Sequence, residues 1–116
     1  MISNTLSIEI NRSVSEVFEF TINPDNTPKW IEGIVEEKIS FFPVAVGTQY
    51  SNTKDGNIWV KYICTKFEKD KKFELRQENS LYHVEYIYEK ISDTQTKLTY
   101  IMNGWTTMRY FPNHLK

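Results

Sequence analysis

Two runs of alternating side chains near the end of the chain limit its fold more than any other feature. Over residues 82–91 the even positions Tyr82, Val84, Tyr86 and Tyr88 are apolar or aromatic. Over 96–104 the even positions Leu98, Tyr100 and Met102 repeat the pattern. Successive side chains of a strand point to opposite faces, so a period of two marks two strands with one buried face each. The polar stretch Ser92-Asp93-Thr94-Gln95 joins them into a hairpin. His83, Glu85, Lys97 and Thr99, on the odd face, are expected in solvent.

The rest of the chain leans the same way. Ala45 is the single alanine, against twelve isoleucines, seven valines and eleven threonines. Branched side chains lose rotamer freedom in a helix and pack well on a pleated sheet. Leu6, Ile8 and Ile10 alternate with Ser7 and Glu9, which predicts a strand over 2–10. The period then changes. Ser13 and Glu16 form a capping box, and Val14, Val17, Phe18 and Ile22 follow at helical spacing, so a helix is expected over 14–22. Asn23-Pro24-Asp25-Asn26 ends it, because proline cannot continue the hydrogen-bond ladder. Thr27-Pro28 opens a second short helix that carries Trp30 and Ile31 and stops at Gly33. Strands are expected over 34–42, 48–54, 58–68 and 73–79, with Asp55-Gly56 as a hairpin turn and Lys69-Asp70-Lys71-Lys72 as another. The order is one strand, two helices, six strands. At 116 residues this is one domain.

That order resembles the START-like or Bet v 1-like superfamily, whose bacterial members include polyketide cyclase/dehydrase-like proteins. The residues that carry the likeness are Ile8-Glu9-Ile10, then Val14 to Phe20, then Asn23-Pro24-Asp25-Asn26 with Trp30 four residues on. Val46-Gly47-Thr48 and the closing hairpin, Tyr86 to Ile91 with Thr96-Lys97-Leu98, complete it. The likeness covers residues 2–104 and implies an α+β fold in which a helix-grip-like curved antiparallel sheet surrounds a cavity. It also implies a long C-terminal helix. Residues 106–116, interrupted by Pro112, are too few for that helix, which is expected to be absent or truncated.

The resemblance turns the even face of the last hairpin towards the cavity, and the strand at 58–68 adds Ile58, Val60, Tyr62 and Cys64. The expected ligand-binding residues are therefore Trp30, Tyr62, Tyr82, Tyr86, Tyr88, Leu98, Tyr100 and Met102. Apolar walls with a few convergent hydroxyls suit a small lipophilic or aromatic molecule. The competing explanation for such a row is plain sheet core.

Candidates for chemistry are few. His83 falls on the outer face by parity, and His114 lies in the tail. Cys64 reads as a small core residue. Glu36 and Glu37 are adjacent on a strand, so at most one faces inward. The four glycines form no phosphate loop or dinucleotide fingerprint. One cysteine excludes a disulfide framework or a multi-cysteine metal site. A net charge of -1 argues against a nucleic-acid binder. No segment has the length of a membrane span or the shape of a signal peptide, so a cytoplasmic protein is expected. No catalytic residue, metal or cofactor is expected.

Three functions follow. The first is non-catalytic binding of a small hydrophobic ligand. The second is a cyclase/dehydrase-type enzyme in which a tyrosine or Glu37 moves a proton. The third is an interaction module using the open sheet face. An uncovered inner face, together with Met108, Tyr110, Phe111 and Leu115 in the tail, points to a homodimer.

Overall fold

The computed structural model describes residues 3–103. Trp105 and the tail at 106–116, on which the missing helix and part of the dimer argument rest, lie outside the described residues. The elements are β1 (Ser3–Ile10), α1 (Val14–Ile22), a 3-10 turn (Pro24–Asn26), α2 (Thr27–Trp30), β2 (Glu36–Ile39), β3 (Gln49–Thr53), β4 (Trp59–Glu68), β5 (Lys72–Gln77), β6 (His83–Ser92) and β7 (Gln95–Asn103).

All seven strands form one curved antiparallel sheet in the order β1-β7-β6-β5-β4-β3-β2. Strands β1 and β2 follow each other in sequence yet lie at opposite edges. The connection between them must therefore cross the full width of the sheet, and that crossing holds both helices. The face they cross carries the core. Phe18 of α1 packs edge-on against Phe67 and Tyr88, at 5.4 and 4.9 Å between ring centroids. Trp30 of α2 packs edge-on against Tyr86 and Tyr100. Among the described residues no helix is long and apolar enough to cross a membrane.

Helix α1 starts where the capping box places it. The Ser13 hydroxyl accepts from the Glu16 backbone N–H, and the Glu16 carboxylate accepts from the Ser13 N–H, both at 3.3 Å. The start is also tied to the sheet: Ser15 donates to Asp70 at 2.8 Å, in the turn between β4 and β5. Asp70 holds a φ of 61°, the left-handed region that short polar side chains tolerate.

Register bears out the parity of the last hairpin. Tyr86 faces Phe73 on one side and Tyr100 on the other, and these three rings stack across β5, β6 and β7 at 5.6 and 5.4 Å. Tyr82, Val84, Tyr86, Tyr88, Leu98, Tyr100 and Met102 are all buried, while His83, Glu85 and Thr99 are only partly buried and Lys97 is exposed.

Three expectations need correction. Ile58 was expected on the inner face, but it is 72% exposed. The turn is longer than Asp55-Gly56, because one Asp55 carboxylate oxygen accepts from the backbone N–H groups of both Asn57 and Ile58 and keeps Ile58 out of β4. Strand 34–42 is shorter than its apolar content suggests. Only Glu36–Ile39 is strand, and pairing extends one residue further at each end through Val35 N–H to Thr53 and Ser40 N–H to Gln49. Finally, alternation does not run the length of β4. A bulge between Cys64 and Lys66 inserts one residue and turns Phe67 inward against Phe18 and Phe73.

Candidate functional site

Beneath the helix pair, where β2 and β3 meet α2, a polar cluster sits in an otherwise aromatic interior. Adjacent residues of β2 point opposite ways, so Glu36 is exposed and Glu37 is buried. The register sets Asn52 of β3 directly opposite Glu37. The Asn52 amide donates to Glu37 Oε2 at 3.1 Å, and the Thr27 hydroxyl of α2 donates to Glu37 Oε1 at 2.5 Å. A carboxylate out of water is costly unless hydrogen-bonded, and these two donors supply that.

Two buried tyrosines act as hydrogen-bond donors here. Tyr50 donates to the Ile22 carbonyl at the end of α1, at 2.6 Å. Burial, and next the charge of Glu37, push its pKa far above the usual phenol value. Thr21 donates to the Phe18 carbonyl, so its oxygen accepts from the Tyr88 hydroxyl. Burial raises Tyr88 equally far. Neither phenol ionises near neutral pH, so neither is a base.

Two spaces adjoin this cluster. One is narrow, measures about 10 Å³, and is bordered by Thr27, Trp30, Glu37, Asn52, Tyr62 and Tyr86 among others. That is room for about one water molecule. The other is an open groove of about 790 Å³ between the end of α1, the 3-10 turn and β2. Its apolar lining comes from Ile22, Pro24, Pro28, Val35, Ile39 and Phe42. Glu37 borders both.

Of the residues expected at the site, Trp30, Tyr62 and Tyr86 border the narrow space. The others lie on the same face but deeper in the packing. Tyr82 stacks edge-on with Tyr62, Tyr88 is held under α1 by Thr21, and Leu98, Tyr100 and Met102 line β7. Thr27, Tyr50 and Asn52 escaped the sequence reading. A signal for the last two lies in the sequence: Tyr50 and Asn52 are the even positions of β3 and share one face.

Two other candidates are structural. Cys64 is fully buried, its thiol donates to the Lys66 carbonyl, and burial pushes its pKa up to about 11. His83 lies on the outer face between the Leu81 carbonyl at Nδ1 and the Asn103 amide at Nε2, 3.2 and 2.9 Å away. Both ring nitrogens therefore have a partner. Among the described residues no cluster of three or more His, Cys, Asp or Glu could hold a metal ion.

Comparison with solved structures assigns the architecture. The Aha1 dimer from Colwellia psychrerythraea superposes with a TM-score of 0.67 at 17% identity, covering 93% of this chain and 80% of that one. An HSP90 activator from Plasmodium falciparum gives 0.71 at 15%, covering 94% and 77%. The di-domain ARO/CYC protein BexL, of the BE-7585A biosynthetic pathway, gives 0.67 at 15%, covering 88% of this chain and 35% of that one. The chain has the START-like, Bet v 1-like fold. No protein-family model and no curated protein sequence matches it.

Proposed function

We propose that this protein binds a small lipophilic or aromatic molecule at the mouth between the helix pair and β2, and performs no chemistry on it. The observation that carries this reading is the position of Glu37, a buried carboxylate that borders both the open groove and the narrow space behind it. Apolar walls converging on a few fixed polar groups are the usual construction of a small-molecule site. In this reading the body of the ligand lies against Ile22, Pro28, Val35, Ile39 and Phe42. A hydrogen-bond donor on it meets Glu37, and Trp30, Tyr62 and Tyr86 form the wall behind. Tyr82, Tyr88, Leu98, Tyr100 and Met102 back that wall. No cofactor takes part, and a cytoplasmic location belongs to the same proposal.

The likeness to an ARO/CYC protein raises a cyclase-type reaction as the alternative, with Glu37 as the proton carrier. Both Glu37 oxygens already accept hydrogen bonds, from Thr27 and Asn52. That arrangement suits a fixed recognition point better than a group that must take up and release a proton, and it favours binding.

Titration with the neutral dye Nile red tests the reading. Phe42 is 77% exposed, so Phe42→Ser should leave the melting temperature unchanged. It should weaken dye binding, as should Ile39→Ser. Equal binding by the native chain and both variants, all folded, would place the site elsewhere.

The homodimer is a separate proposal. The inner face is buried within one chain, so an open face supplies no reason for a dimer. A dimer would instead use the exposed Phe41 and Val46 beside edge strand β2.

A further inference from the structure

The groove has a sign as well as a shape. Among the described residues its charged lining consists of Glu19, Asp25, Glu36, Glu37 and one cation, Lys38. Lys38 is already engaged. Its ammonium lies 3.7 Å from Glu36 Oε2 and 4.9 Å from the centre of the Trp59 ring. Even with Lys38 set against Glu36, the described lining holds three more acidic side chains, Glu19, Asp25 and Glu37, around an apolar floor. The neighbouring Lys29 bonds the Asn26 side chain and does not line the groove. The whole chain carries a net charge of only -1, so this negative field is local to the groove. Concave apolar walls keep the local dielectric low and strengthen such a field over its value on an open surface.

Resting on the binding reading above, we infer that the ligand is a lipophilic cation, an aromatic or aliphatic amine, and that lipophilic carboxylates are rejected. An ammonium can donate to Glu37 while its apolar body covers Ile39 and Phe42. Among the described residues, a carboxylate placed there would meet four acidic side chains against the single ammonium of Lys38.

Three probes of one shape decide this: 2-naphthylmethylamine, 2-naphthalenemethanol and 2-naphthoate. They are titrated calorimetrically into the full chain at neutral pH and low salt. The amine should bind about tenfold or more tighter than the carboxylate, with the alcohol between. Salt should narrow the gap. The double variant Glu19→Gln with Asp25→Asn changes two exposed side chains, so its melting temperature should stay native, and it should narrow the gap too. If the carboxylate binds as tightly as the amine, or the gap is the same in the double variant, the charge rule is overturned while the site stands. If none of the three probes binds, the binding reading itself falls, and this inference with it.

Discussion

Trp30 is the residue on which the inner packing turns. Its ring meets Tyr86 and Tyr100 edge-on, and it is the main apolar anchor that a four-residue helix offers the sheet. Truncating a buried tryptophan costs ~3–5 kcal/mol through lost transfer energy and the cavity left behind. Trp30→Ala should therefore lower stability by that order in urea unfolding, and Trp30→Phe by less. An unchanged midpoint for Trp30→Ala would contradict the packing described. Asp55 acts differently, through its backbone partners. The N–H groups of Ile58 and Asn57 hold its carboxyl below the ordinary carboxylate range. A lowered folded-state pKa gives stability that is present above the unfolded value of ~3.9 and is lost as pH falls through the folded one. The amide signals of Asn57 and Ile58 should thus shift with a midpoint below ~3.9 in an NMR titration. A midpoint at or above that value would remove the two hydrogen bonds from the account.

At the scale of elements, short-range signals with a stated mechanism held, and long alternation did not always do so. Helix α1 spans residues 14–22 as its capping box and apolar spacing predict. Its box satisfies backbone donors that no turn of helix can reach. Ser13→Ala should cost ~1 kcal/mol in chemical unfolding with the spectrum of the folded state unchanged. A cost near zero would mean that Ser15 and Asp70 alone hold the helix start. Strand β4 shows the limit of periodicity. Its first half follows parity through Tyr62 and Cys64, and the bulge then turns Phe67 inward. A bulge adds one residue and shifts the alternation by one position, and the polar pair Thr65-Lys66 between Cys64 and Phe67 marks that shift in the sequence. Strand β2 stops at Ile39 because partner strand β3 begins only at Gln49.

The molecule as a whole is a sheet in which β1 and β2, consecutive strands of the sequence, form the two edges in space. The helical crossover that this requires buries the aromatic face without a second chain. What stays exposed beside β2 is Phe41, Phe42 and Val46. A short edge strand bordered by apolar side chains is a place where another chain can pair. If a homodimer forms there, sedimentation at micromolar concentration should show twice the chain mass of 13.8 kDa. Phe41→Asp with Val46→Asp should return it to one chain. A native protein that sediments as a single chain would end the dimer proposal and leave the groove free for a small ligand.

Sequence alone determined the class of fold, the element order, the start of α1, the parity of the last hairpin and that at most one of two adjacent glutamates faces inward. Each depends on residues within about one strand or one helical turn of each other, where covalent geometry decides direction. The tertiary structure decided which far-apart residues meet. Thr27, Glu37 and Asn52 come from a helix, an edge strand and its neighbour, and they meet only because the crossover lays α2 over β2 and β3. The tertiary structure also decided how much room the tyrosine face leaves. Between Trp30, Tyr62 and Tyr86 the space is narrow, about 10 Å³. A groove of about 790 Å³ lies at the mouth, between the end of α1, the 3-10 turn and β2. Packing of that kind depends on the shapes of all the partners at once, and no single stretch of chain encodes it.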